Sequence, residues 1–268
     1  MIVDCHTHID FEKEEPDIEG YLSASQMADV CLLLGCPQGD HVNTNEKLSE
    51  FVRLHAKKTV GFAVIDPTQG KVNDKYVAEL KEELGLHGVV LYCAVCGFHP
   101  THSQAMKFYA LAQEVGLPVF FHNGDLDFSN NGSLSYAQPY LLDEVARRFP
   151  ELKIIIGSMG IPFVEQTIAM LARHKNVLAN LTIRPRSVWQ TYNIVISVHE
   201  QGIMDKLLFG SGYPAATAQA CIETLLGFNT LMADTNLPTV PLSQIRSVIE
   251  RNSLELLGIH HPGINVKD

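Results

Sequence analysis

Short apolar runs alternate with longer amphipathic stretches along the whole 268-residue chain, and this alternation constrains the fold more than any other feature. The runs are Ile2 to Cys5, Val30 to Leu34, Val60 to Ile65, Gly88 to Tyr92, Pro118 to His122, Lys153 to Gly157, Val177 to Asn180 and Leu207 to Gly210. Each has the length of a strand buried on both faces rather than that of a helix. Between them, segments such as NEKLSEFVRLHAKK, YVAELKEELG, SQAMKFYALAQEVG and PFVEQTIAMLARH carry apolar residues three and four apart, the helical period. Gly85, Gly116 and Pro150 stand where such helices should stop. Strands joined through helices lie parallel, and eight such units predict an α/β fold of the (β/α)8 barrel type, one domain over residues 1–268. An open doubly wound sheet would alternate in the same way. It is disfavoured because no glycine-rich phosphate turn follows the first run. The last segment, SQIRSVIERNSLELLGI, predicts a terminal helix that covers the barrel.

Charge and composition narrow the partners. The formal net charge is −10 and the basic residues form no block, which excludes a generic nucleic-acid binder. No apolar run is long enough to span a bilayer, and no secretory pattern precedes Asp4. Six cysteines without such a signal read as reduced thiols, so the cytoplasm is the expected compartment. A small-molecule substrate is the expected partner, and the sequence leaves self-association into a homo-oligomer open.

The chemistry is concentrated in VDCHTH, where Asp4, His6 and His8 occupy alternate positions of the first strand. Period two aims both imidazoles into the barrel, with Asp4 expected on the same side. His122 ends the fifth strand in LPVFFHNG, nearly opposite the first in an eight-strand ring. Barrel strands deliver reactive groups at their carboxyl ends, so His6, His8 and His122 should meet at the mouth. Three imidazoles there can hold a divalent metal, with zinc the expected ion, and leave positions open for water. Taken singly, each histidine could equally be a hydrogen-bonded core residue.

At these residues the chain resembles the amidohydrolase-related barrels, in the branch of small metal-dependent hydrolases and of decarboxylases acting on aromatic or aminomuconate-type acids. VDCHTH looks like the family's opening Asp-x-His-x-His. VGFAVIDP, LPVFFHNG, RRFPELKIIIGSMG, DKLLFGSGYP and ERNSLELLGI are similar to later family stretches in the same order. Two positions depart from the pattern: Ser158 stands where the family usually has a metal-site histidine, and Gly212 where it usually has aspartate. The resemblance therefore implies His6, His8 and His122 as metal ligands and assigns no catalytic residue. It implies a metal-dependent hydrolase, with decarboxylation of a small unsaturated or aromatic acid as the alternative within catalysis. A catalytically silent barrel that binds a small molecule or a protein is the alternative outside it. If the pocket is retained, an aspartate restored at Gly212 should strengthen metal binding.

Other groups are candidates for the site. Arg184, just past the seventh strand, could clamp a substrate carboxylate, and Tyr92 could line the mouth. Cys93, Cys96, His99 and His102 in LYCAVCGFHPTH offer a second metal or redox cluster, or else small apolar fillers beside a solvated loop. Asp10, Asp125 and Asp127 are loop carboxylates that could reach back to a metal-bound water. Neither Ser158 nor Ser211 sits in a Gly-x-Ser-x-Gly elbow, which argues against a serine nucleophile.

Overall fold

The computed structural model of the protein describes residues 1–70, 72–122 and 132–261. Eight strands run in chain order around one sheet: β1 Val3–Thr7, β2 Val30–Leu34, β3 Thr59–Val64, β4 Gly88–Leu91, β5 Val119–Phe121, β6 Ile154–Ile156, β7 Val177–Thr182 and β8 Leu207–Gly210. Every neighbouring pair from β1 to β8 is parallel. The ring closes through a parallel bridge from Thr7 to Tyr213, with His8 N–H donating to Tyr213 O at 3.0 Å and Gly212 N–H to His6 O at 2.9 Å. The barrel expectation thus holds, and β2 and β8 coincide with their predicted runs.

The outer helices are α1 Ile18–Ala24, α2 His41–Leu54, α3 Asp74–Ala78, α4 Cys93–Cys96, α5 Ser103–Val115 and α6 Asp143–Arg148. They continue with α7 Val164–Arg173, α8 Val188–Glu200, α9 Ala218–Leu226, α10 Leu242–Ile249 and α11 Ser253–Leu256. Alternation within the strands sorts the core into two layers. Val30, Leu32, Leu34, Phe62, Val90, Phe120 and Leu208 fill the barrel. Cys31, Leu33, Ala63, Val89 and Phe121 face the helices. The predicted terminal helix is two helices, because residues 250–252 leave the helical path between α10 and α11. Leu254, Leu257 and Ile259 join the inner cluster, so this segment does cover the barrel, at the amino-terminal ends of the strands. Among the described residues no helix is long and apolar enough to cross a membrane.

One irregularity positions the site. Asp4 pairs with Cys31 and Thr7 with Leu33, so β1 spends three residues where β2 spends two. This is a β-bulge, which re-aims the side chains beyond it. Cys31 and Leu33 face the helices, and Asp4 and Thr7 follow them outward. Cys5 and His6, lying between, both face inward: Cys5 joins the inner cluster and the His6 ring lies 5.4 Å from that of Phe120. The expectation that Asp4 shares a face with His6 and His8 is therefore corrected, since the bulge breaks the period-two phase on which it rested.

Candidate metal centre

His6 and His8 leave the end of β1, and His122 follows β5 directly, with its N–H donating to Leu91 O at 2.9 Å. All three are buried, and one nitrogen of each lies within 4.8 Å of the others. Nε2 of His6 lies 3.0 Å from Nε2 of His8 and 3.0 Å from Nε2 of His122. Two distant stretches of chain thus bring their imidazoles to one point at the strand ends. Among the described residues this is the sole gathering of three or more potential metal ligands.

The donor chemistry of the cluster can be tested for a metal. Nδ1 of His8 lies 3.1 Å from the carbonyl oxygen of Leu34, which only accepts, so Nδ1 carries the proton and Nε2 presents a bare lone pair. Nδ1 of His6 is likewise engaged, at 2.9 Å from Asn180 Oδ1 and 2.8 Å from Thr182 Oγ1. Ring nitrogens this close either share a proton as N–H···N or, with each carrying a bare lone pair, face a common cation. Two nitrogens 3.0 Å apart subtend roughly a right angle at an ion about 2.0–2.1 Å from each, as adjacent ligand positions require. The residues fit a divalent metal.

Electrostatics favours the same state. Burial, aided by the nearby His6, holds His122 well below the ordinary histidine range, which keeps its ring neutral and able to ligate. The Tyr92 ring stacks on His122 with centroids 4.7 Å apart, and its hydroxyl donates to Gly35 O at 2.9 Å. Tyr92 is wholly buried and packs against a candidate ligand. Asp4 faces away from the cluster, and its Oδ1 accepts from Ser211 N at 2.9 Å and His6 N at 3.2 Å, tying β8 to β1. Burial pushes its carboxyl up to about 6, against the hydrogen bonds from Ser211.

Beside His8 opens a cavity of about 460 Å³ whose wall includes Asp10, Lys13, Gln38, Gly212 and Tyr213. A larger groove of about 640 Å³ lies between His99, Tyr140, Arg147 and Arg173, and its lining includes none of His6, His8 and His122. Arg184 stands two residues past Thr182, half-buried at the end of β7. Asp10 borders the cavity but is not among the clustered ligands. Asp125 and Asp127 lie outside the described residues.

The cysteine–histidine cluster does not assemble. Cys93 and Cys96 bracket the short α4, and burial pushes the Cys96 thiol up to about 12 and the Cys93 thiol higher still. His99 accepts from Thr101 N at 3.1 Å, and His102 caps α5 by accepting from Gln104 N at 3.3 Å. These residues have structural work, and no metal grouping includes them.

An aspartate restored at Gly212 would meet both backbone strain and crowding. Gly212 has φ +69°, and a Cβ there would lie 2.6 Å from Thr182 Cγ2. The backbone and Thr182 together favour glycine. Two residues with a role here escaped the sequence reading: Asn180 and Thr182, which hold His6. Their signal was present, since two polar residues in the inward phase of an otherwise apolar strand require buried partners.

The amidohydrolase family profile (Amidohydro_2) matches residues 3–259. No curated protein matches the sequence significantly. Among solved structures, the chain is similar to a probable 2-pyrone-4,6-dicarboxylic acid hydrolase from Acinetobacter baumannii with citric acid bound: 14% identical, covering 96% of this chain and 99% of that one, TM-score 0.67. It is also similar to a 5-carboxyvanillate decarboxylase from Sphingomonas paucimobilis: 13% identical, 97% and 99% covered, TM-score 0.66. A third is a dihydroxybenzoic acid decarboxylase from Polaromonas sp. JS666 with bound manganese and the inhibitor 2-nitroresorcinol: 14% identical, 96% and 96% covered, TM-score 0.65. At such identities the structures establish a shared barrel and nothing finer. The profile reaches across all but the two ends of the sequence, and the chain therefore belongs to the amidohydrolase family.

Proposed function

We propose that the protein is a divalent-metal-dependent enzyme acting on a small aromatic or unsaturated carboxylic acid, with decarboxylation as the first reading. The observation that carries it is the convergence of His6, His8 and His122 beside a cavity of about 460 Å³, a size suited to a small organic acid. When bound, a divalent metal supplies Lewis-acid polarisation of an acid or carbonyl oxygen and an acidified water. His6, His8 and His122 would hold it. Arg184, half-buried at the end of β7, would pair with a substrate carboxylate through its planar fork. Tyr92 keeps the His122 ring in place by stacking.

Two of the similar structures described above are decarboxylases of carboxylated phenols, which favours loss of CO₂. Hydrolysis of a small acid is the second reading, supported by the similar 2-pyrone-4,6-dicarboxylic acid hydrolase. Manganese, present in one of these structures, stands beside zinc as the ion to test first.

Metal analysis of protein purified without a histidine tag tests the reading. A near-stoichiometric divalent metal that is lost in the His6→Ala, His122→Ala double variant is expected. The loaded protein is then assayed against 2,6-dihydroxybenzoate, 5-carboxyvanillate and 2-pyrone-4,6-dicarboxylate, following CO₂ release and ring opening separately. Failure to bind Mn²⁺ or Zn²⁺, with no thermal stabilisation by either, would overturn the metal reading and leave a silent binding barrel.

A further inference from the structure

Strands β6 and β7 contribute no ligand to the histidine cluster, yet their ends converge on one of its members. Thr182 Oγ1 donates to Asn180 Oδ1 at 2.5 Å, so toward His6 the threonine oxygen offers only lone pairs. Ser158 Oγ donates in turn to Thr182 Oγ1 at 3.1 Å, and Ser158 N–H to Asn180 Oδ1 at 3.4 Å. That backbone N–H fixes the orientation of the amide, because only the oxygen of Asn180 can accept from it. Asn180 Oδ1 and Thr182 Oγ1, at 2.9 Å and 2.8 Å from His6 Nδ1, are therefore both acceptors.

The surroundings hold this arrangement in place at a cost. Asn180, Thr182 and Ser158 are buried. Asn180 Nδ2 occupies the space where a Cβ on residue 210 would stand, 2.1 Å away, so the amide can sit here only over a glycine. Nδ2 itself is buried and, among the described residues, has no hydrogen-bond partner, although an amide turned to satisfy it would oppose Ser158 N–H. Ser158 and Met159 both adopt the left-handed conformation, with φ +46° and +53°. Two adjacent non-glycine residues in that region store strain of about 1–2 kcal/mol each, a burden that persists where the surrounding structure enforces it. Here the strained turn is what delivers the Ser158 hydroxyl and N–H to Thr182 and Asn180.

We propose that Asn180, Thr182 and Ser158 form a one-way hydrogen-bond chain that locks His6 as its Nδ1–H tautomer, making β6 and β7 positioning elements of the metal centre. Asn180 and Thr182 act directly, and Ser158 acts by orienting Thr182. The inference rests on His6 being a ligand, and it assigns to Ser158 a role that needs no bond to the ion.

The test begins with metal-free protein carrying ¹⁵N-labelled histidine, in which long-range ¹H–¹⁵N correlations report the tautomer of each ring at pH 7.5. The expected result is a protonated Nδ1 on His6, with a shift toward Nε2–H in Thr182→Val and Asn180→Leu. Chelator-competition titrations with Mn²⁺ and Zn²⁺ should show affinity reduced about 10–100-fold in those variants. Affinity should be retained or raised in Asn180→Asp, which keeps the acceptor. Ser158→Ala should cost less than Thr182→Val. Thr182→Val is nearly isosteric and remains informative if Asn180→Leu fails to fold. A protonated Nε2 on wild-type His6, or affinities within threefold of wild type in a folded Thr182→Val, would overturn the proposal. Should the wild type take up no metal at all, the metal reading fails and the positioning role with it, while the tautomer measurement still decides separately whether the chain locks His6.

Discussion

Gly212 shows how one residue can bar the most obvious repair of this site. At φ +69° any side chain strains the backbone, and a Cβ would press on Thr182 Cγ2. Gly212→Ala should therefore lose about 2–4 kcal/mol, combining the left-handed cost with overpacking. Thr182→Ser removes the offending methyl and keeps Oγ1 on His6, so the pair forms a clean cycle. The double variant should be less destabilised than the two single losses summed, by at least about 1 kcal/mol in urea denaturation. Strict additivity would mean that Thr182 moves aside freely and that crowding plays no part in the choice of glycine. The same residue shows what sequence can reveal: the departure from the family pattern was visible at once, whereas its reason lay in a neighbour thirty residues away.

At the scale of elements, the strands were legible because burial on both faces writes them as continuous apolar runs, and His6, His8 and His122 were legible because strand ends meet at a barrel mouth. The bulge in β1 was not, since an extra residue exists only relative to the partner strand, and Cys5 and His6 look alternate until Cys31 and Leu33 are set beside them. The break between α10 and α11 escaped for a similar reason: the apolar period continues across it, but Arg251 is drawn to another element. Its guanidinium donates to Leu207 O at 2.8 Å, to Met204 O at 3.3 Å and to Asp205 O, clamping the entry to β8. Arg251→Met, which keeps the stem and loses the donors, should destabilise the fold by about 2 kcal/mol, as expected for charge-assisted bonds to carbonyls. Arg251→Lys should fall between, because an ammonium cannot reproduce the planar fork. Equal urea midpoints for all three would show that these carbonyls are satisfied without Arg251.

Across the whole molecule the two ends of the barrel do different work, and histidines mark both. The mouth holds the ligand cluster, while the carboxyl-terminal segment seals the floor with Leu254, Leu257 and Ile259. At that lower end burial holds His261 below its ordinary value of 6.5, against its hydrogen bonds to the carbonyls of Thr59 and Ala56. Burial, reinforced by His261, lowers His87 in the same way, and among the described residues the buried His87 Nδ1 has no hydrogen-bond partner. The Lys81 ammonium lines the same depression and does not reward a proton on His87. The sign follows from linkage: below pH 6.5 the unfolded chain takes up protons that the folded chain refuses, and stability is lost as pH falls from 6.5 toward the lowered folded values. Above 6.5 both states are neutral at these sites and stability should not change on their account. Metal-free protein should therefore show a melting temperature that is level above about pH 7 and drops toward pH 5. His122 contributes in the same direction and Asp4, raised to about 6, in the opposite one, but both identically in wild type and in floor variants, so the difference between them isolates the floor. His87→Asn and His261→Asn should each flatten the acid slope relative to wild type, whatever they do to stability at pH 7.5. Parallel curves in all three proteins would mean that the floor opens to water before it titrates, and that the carboxyl-terminal segment is not the seal its packing suggests.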